Sequence, residues 1–167
     1  MIAPVASDDA ALRRLAERVG EALLRSRQRL TSAESCTGGW VAKCVTDIPG
    51  SSQWFGYGYV CYSNEAKMEL LGVAPGVLET FGAVSRPCAE QMAVGALHAA
   101  HADIAVAVTG IAGPDGGSAE KPVGLVWFAL ARSAVAPRSE QRLFPGDREA
   151  VRRAAVATAL ELLLTRS

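Results

Sequence analysis

Ser35 stands in the stretch Glu34-Ser-Cys-Thr-Gly-Gly39, between a short apolar run and an amphipathic one. That spacing puts a hydroxyl where a strand gives way to a helix. The glycines let the backbone come close to a ligand, and the N–H groups that open the helix point at it. A nucleophile elbow has this arrangement, although the stretch is not Gly-x-Ser-x-Gly and the likeness is one of geometry. Ser and Thr before a helix are also ordinary caps, which is the plainer reading. A second glycine-rich loop, Thr109 to Gly117, has neither the Gly-Lys-Ser/Thr of a phosphate loop nor a dinucleotide fingerprint. It reads more readily as an ordinary turn cluster than as a ligand loop. Arg148, just after Phe144-Pro-Gly-Asp147, is either a clamp for a carboxylate or phosphate or an exposed arginine at a helix start.

A serine that attacks a carbonyl needs a group to take its proton. His98 and His101 lie three apart, late in an Ala-rich helical stretch, and read as surface or packing residues. The remaining bases are lysines and glutamates. If Ser63 or Asn64 caps the next helix, Lys67 falls in its first turn, near the positive end of the helix dipole. A cation is disfavoured there, which moves the ammonium towards the neutral amine of a general base. Glu65 and Glu69 pull the other way, and a solvated lysine is the plain alternative. Cys36 is a competing nucleophile, but no histidine is set up beside it. The four cysteines at 36, 44, 61 and 88 form no Cys-x-x-Cys pair, so the spacing is not that of a zinc site. They read as reduced, mostly buried thiols.

The elements that must position these residues follow from periodicity. Asp8 to Arg29 carries Leu12, Leu15, Ala16, Val19, Leu23 and Leu24 at helical spacing. Leu30 to Glu34 predicts a strand, and Trp40 to Thr46 a helix stopped by Pro49. Trp54 to Tyr62 predicts a strand, and a helix runs on from Ser63-Asn64 to Leu71. A short helix follows Pro75 and ends near Gly82, and Arg86 to Ala102 is helical. Ile104 to Val108, Val123 to Ala131 and Gln141 to Phe144 predict strands, and Asp147 to Leu164 a closing helix. Helices and strands interleave early, while the last three strands have short connections. That order predicts a single α/β domain, a mixed sheet with helices on both faces.

Composition removes whole classes. The 167 residues suit one domain, expected over 9–165 behind a tail at 1–8. Half the residues are hydrophobic, which supports a core, and 17 basic against 17 acidic residues leave no net charge. Duplex nucleic acid held through its phosphates calls for a basic stripe, so no nucleic-acid partner is expected. The longest apolar runs, such as Leu125 to Ala131, are too short to span a bilayer, and the N-terminus has no basic or apolar signal region. The expected location is the cytoplasm, away from membranes.

Eight blocks of this sequence together resemble the CinA C-terminal domain family: Thr31–Gly39, Asp47–Ser52, Tyr62–Lys67, Leu71–Val73, Gly82–Ser85, Ala107–Pro114, Glu120–Gly124 and Phe144–Arg148. The resemblance runs from about residue 9 to 165. It implies a three-layer α/β/α sandwich and a serine amidohydrolase that uses no metal or cofactor. The family includes deamidases that convert nicotinamide mononucleotide (NMN) and water to nicotinate mononucleotide and ammonia. By its pattern Ser35 is the nucleophile, and Lys67 and Tyr62 handle protons. Glu34, Cys36, Thr37, Gly38, Gly39, Ser63, Asn64, Thr109, Gly110 and Arg148 would line the nucleotide site. A homo-oligomer is expected by the same analogy. The aromatic stretch Gly56–Cys61 departs from the pattern, with Tyr57 and Tyr59 either altering the pocket or packing. Many relatives carry a further domain of nucleotide pyrophosphatase character with no counterpart here, so the amidase alone is expected. A non-catalytic nucleotide-binding or adaptor module linked to competence or the DNA damage response is the alternative.

Overall fold

The computed structural model describes residues 8–165; apart from Asp8, the expected N-terminal tail lies outside them. Five strands, β1 (Leu30–Glu34), β2 (Phe55–Val60), β3 (Ile104–Gly110), β4 (Leu125–Arg132) and β5 (Val135–Leu143), form one sheet in the order β2-β1-β3-β4-β5. β2 and β3 run parallel to β1, β4 pairs antiparallel with β3, and β5 pairs antiparallel with β4. The mixed sheet expected from the order of elements is present, with helices on both faces.

Strand periodicity divides the core. On one face Ile104, Val106, Val108, Val126 and Phe128 meet α1 (Asp9–Ser26), α2 (Trp40–Thr46) and α6 (Arg148–Leu164). On the other, Ala33, Ala105, Ala107, Ala129 and Ala131 meet α5 (Arg86–Ala99), itself rich in alanine. Small residues on both partners let α5 lie close to the sheet. The short helices α3 (Asn64–Leu71) and α4 (Pro75–Phe81) pack on α5. A Cβ at Gly95 would stand 1.8 Å from the Leu71 carbonyl oxygen, so glycine is what lets α3 and α5 cross this closely.

The helix signals are realised as physical caps. The side chains of Asp8, Ser63, Ser85 and Asp147 accept the first free N–H groups of α1, α3, α5 and α6. Of the two candidates at α3, Ser63 is the cap and Asn64 the first helical residue. α1 stops at Ser26, with Arg27 in a left-handed conformation, and α5 stops at Ala99, short of the expected Ala102. The largest departure is β5, which begins at Val135, not at Gln141. Pro137, Arg138 and Glu140 give this segment the look of a loop, and an edge strand tolerates all three. All four cysteines are buried free thiols.

Candidate active site

Alternation along β1 sends Glu34 and Ser35 to opposite faces of the sheet. Glu34 faces α2. Its Oε1 accepts from the Thr37 hydroxyl at 2.7 Å and the Val41 N–H at 2.8 Å, and its Oε2 from the Ala42 N–H at 3.0 Å. Gly39, the residue before α2, has no side chain to cap the helix, and the Glu34 carboxylate takes that role from the strand. Burial pushes its pKa up, against the pull of the Ala42 and Val41 N–H groups and the Thr37 hydroxyl. Expected as substrate-lining residues, Glu34 and Thr37 are committed to each other and to α2 inside the turn. Gly38 and Gly39 close that turn at φ of 60° and 97°, in the left-handed region where glycine is at home.

Ser35 faces α3. Its N–H donates to the Val108 carbonyl at 2.9 Å, so the backbone is anchored to β3 one residue past the end of β1. Lys67, only 1% exposed, projects from α3 with its Nζ 3.0 Å from Ser35 Oγ. The same Nζ donates to the carbonyls of Cys61 at 2.9 Å and Tyr62 at 3.3 Å, with the Ser63 carbonyl at 3.5 Å. Burial is the main cause lowering its pKa. A neutral amine fits these partners: two N–H bonds go to the Cys61 and Tyr62 carbonyls, leaving the lone pair for the Ser35 hydroxyl proton. The contact alone does not need the helix-dipole argument, since desolvation already favours the neutral form.

Burial pushes the Cys36 thiol up to about 12, away from the thiolate that a cysteine nucleophile needs. Its backbone matters more. Among the described residues, the N–H groups of Cys36 and Thr37 donate to no backbone or side-chain oxygen, unlike those of Ser35, Gly38 and Trp40 around them. Two such donors next to a serine are the parts of an oxyanion hole.

The remaining expected residues divide. Tyr62 is 62% exposed, and its hydroxyl accepts from Arg148 Nη2 at 3.0 Å; it meets Lys67 through its backbone carbonyl. Arg148 also donates from Nη1 to the Gly113 carbonyl at 2.7 Å, tying the second glycine-rich loop to Tyr62. The buried Thr109 hydroxyl donates to the Ala83 carbonyl at 3.0 Å, and Gly110 is a close-packing position where a Cβ would come 2.7 Å from Val126. Asn64 is exposed on α3. Tyr57 and Tyr59 stack on each other with ring centroids 6.4 Å apart. His98 and His101 are exposed near the start of β3, at the end of the sheet away from Ser35.

One residue of the site was not anticipated. Arg152 of α6 donates from Nε to the Cys36 carbonyl at 3.0 Å and from Nη2 to the Thr37 carbonyl at 3.3 Å. Its sequence signal was its distance of four from Arg148, which on a helix puts both arginines on one side.

The chain matches the CinA C-terminal domain over residues 12–166. It is 56% identical over 155 residues to the nicotinamide-nucleotide amidohydrolase PncC of Escherichia coli (strain K12), covering 93% of this chain and 94% of that protein. The protein of the same name from Pseudomonas putida is 53% identical over 150 residues, covering 90% of this chain and 93% of that one. Among solved structures, the competence/damage inducible protein CihA from Agrobacterium tumefaciens superposes with a TM-score of 0.90 at 46% identity, covering 95% of each chain.

Proposed function

The chain belongs to the CinA C-terminal domain family, and on that premise we propose that it is a nicotinamide mononucleotide amidohydrolase with Ser35 as nucleophile. The observation that carries the reading is the 3.0 Å contact between Ser35 Oγ and the buried Lys67 amine.

A carboxamide is a weak electrophile with a poor leaving group, so the reaction needs an activated nucleophile, oxyanion donors and an acid. The Ser35 hydroxyl gives its proton to Lys67 Nζ as Oγ bonds to the carboxamide carbon. The carbonyl oxygen becomes an oxyanion held by the Cys36 and Thr37 N–H groups. Lys67 returns the proton to the amide nitrogen, the carbon–nitrogen bond breaks, and ammonia leaves an ester on Ser35. Water then adds to that ester, giving a proton to Lys67, which passes it to Ser35 Oγ as nicotinate mononucleotide departs. Arg148 is suited to the substrate phosphate, since a guanidinium offers paired donors to its oxygens.

The test is ammonia release from NMN, with nicotinamide and NAD as competing amides, by the wild type and by Ser35→Ala. Turnover of NMN that vanishes in the folded Ser35→Ala variant is expected; an unchanged rate overturns the assignment. Tight NMN binding with no turnover by the wild type would instead favour the non-catalytic module.

The proposal includes a homo-oligomer formed through β2. Phe55–Val60 is an edge strand without a charge or a proline, and Tyr57 is 57% exposed on it. The opposite edge, β5, is guarded by Pro137, Arg138, Glu140 and Arg142. Edges left unguarded invite pairing with another strand. Light scattering of the wild type and of Tyr57→Lys tests this, the variant being expected to dissociate. A cytoplasmic location is part of the same reading, supported by four cysteines that remain free.

A further inference from the structure

We propose that Arg152 is a positioning residue that aims the Thr37 N–H at the reacting carbonyl oxygen; this rests on the amidohydrolase reading above. A trans peptide unit is planar, with its C=O and N–H on opposite sides. The unit joining Cys36 to Thr37 carries the Cys36 carbonyl and the Thr37 N–H. Holding that carbonyl at 3.0 Å from the Arg152 Nε therefore fixes the direction of the N–H. The second prong, 3.3 Å from the Thr37 carbonyl, fixes the next unit, whose Gly38 N–H donates back to the Ser35 carbonyl at 3.1 Å. A cation on a peptide carbonyl also polarises the unit, so the N–H opposite becomes a stronger donor.

Arg152 differs from the arginine beside it. Arg153 is paired with the carboxylates of Asp9 and Glu149, as surface arginines commonly are. Arg152 has no carboxylate partner among the described residues, and its hydrogen bonds go to the two carbonyls of the turn. Its guanidinium lies 5.6 Å from the centre of the Trp40 ring and 3.3 Å from where a Cβ on Gly38 would be. It thus stands behind the turn, in the cleft between α1, α2 and α6 and away from Lys67. From there it acts on chemistry only through the backbone it holds.

The experiment compares wild type, Arg152→Lys and Arg152→Ala in steady-state ammonia release from NMN, with thermal unfolding and a pH–rate profile for each. Loss of an oxyanion donor costs about 100- to 1000-fold in kcat, and a donor left unaimed rather than lost should cost about 10- to 100-fold. That fall is expected in kcat with KM nearly unchanged, since the contact matters in the transition state. The pH midpoint, which belongs to Lys67, should not move. Added guanidinium ion should restore part of the turnover of Arg152→Ala. Arg152→Lys keeps a cation and an aliphatic stem beside Trp40, so it carries the test should Arg152→Ala fail to fold. A lower unfolding temperature with kcat within twofold of wild type overturns the proposal and leaves Arg152 a packing residue. No NMN turnover by the wild type means that the amidohydrolase reading has failed, and this inference falls with it.

Discussion

Glu34 and Lys67 flank Ser35, one on each face of the sheet, and each is only 1% exposed. Both are ionisable groups taken out of water, yet their surroundings assign them opposite work. Glu34 meets donors that belong to its own turn and to α2, so its two oxygens are occupied before any substrate arrives. Lys67 meets backbone carbonyls and one hydroxyl, that of Ser35. A buried charge that is fully bonded specifies a shape; a buried base whose lone pair meets a reactive hydroxyl can move a proton. Burial and a shifted pKa are common to the two sides. What separates scaffold from chemistry is whether a bond remains to be exchanged.

The comparison breaks most directly at Lys67. Lys67→Met removes the proposed base and keeps an apolar stem of similar length, so kcat should fall by about 100- to 10,000-fold while the protein stays folded. Lys67→Arg should be as inactive, because a guanidinium does not deprotonate in the working range. On the proposed mechanism the reactive form in the wild type is the neutral amine, so kcat/KM should rise with pH through the folded-state pKa of Lys67. Because burial lowers that value, the midpoint should lie below the ordinary lysine range. A midpoint at or above that range, or none, would place the base elsewhere.

Glu34→Gln sharpens the other side. An amide NH2 would face donors where an oxygen now accepts, leaving at least one buried group unpaired at a cost of about 1–3 kcal/mol. In a chain of this size that lowers the unfolding temperature by a few degrees, roughly 2–4 °C per kcal/mol. Turnover per folded molecule should fall far less than in Lys67→Met. If Glu34→Gln instead unfolds normally and loses activity like a catalytic variant, the division between scaffold and chemistry is wrong.

These roles were unequally legible in the sequence. Caps and stops carry local signals, so Ser63 before α3 and Pro49 after α2 could be read from single residues. Ser35 could be recognised by type and setting. Glu34 could not be separated from it, because adjacent strand residues share a sequence neighbourhood and differ only in the face they address. The Lys67 contact spans 32 positions and depends on α3 crossing α5 at Gly95, which no local pattern encodes. β5 reads as a shorter strand because its proline and charges protect an edge, and such protection looks like a loop until its neighbour is known. Arg152 had a helical-spacing signal, but its partners are carbonyls, and backbone groups leave no mark in a sequence.

Tyr62 offers the smallest effect and a clear choice between two roles. Its carbonyl accepts from Lys67 and its hydroxyl accepts from Arg148, so the two ends of one residue touch different parts of the site. Tyr62→Phe keeps the first contact and deletes the second. If the phenol passes protons to or from Lys67, kcat should drop with KM unchanged. The geometry favours the other outcome, since the hydroxyl lies with a guanidinium suited to the phosphate. An exposed hydrogen bond to a charged group contributes about 0.5–1 kcal/mol, which corresponds to a two- to fivefold rise in KM for NMN with kcat held. Because the hydroxyl lost pairs with Arg148 and not with Lys67 Nζ, the effect should disappear for an amide substrate without a phosphate. A loss that persists on such a substrate would return the Tyr62 hydroxyl to proton transfer and extend the reactive side beyond Lys67.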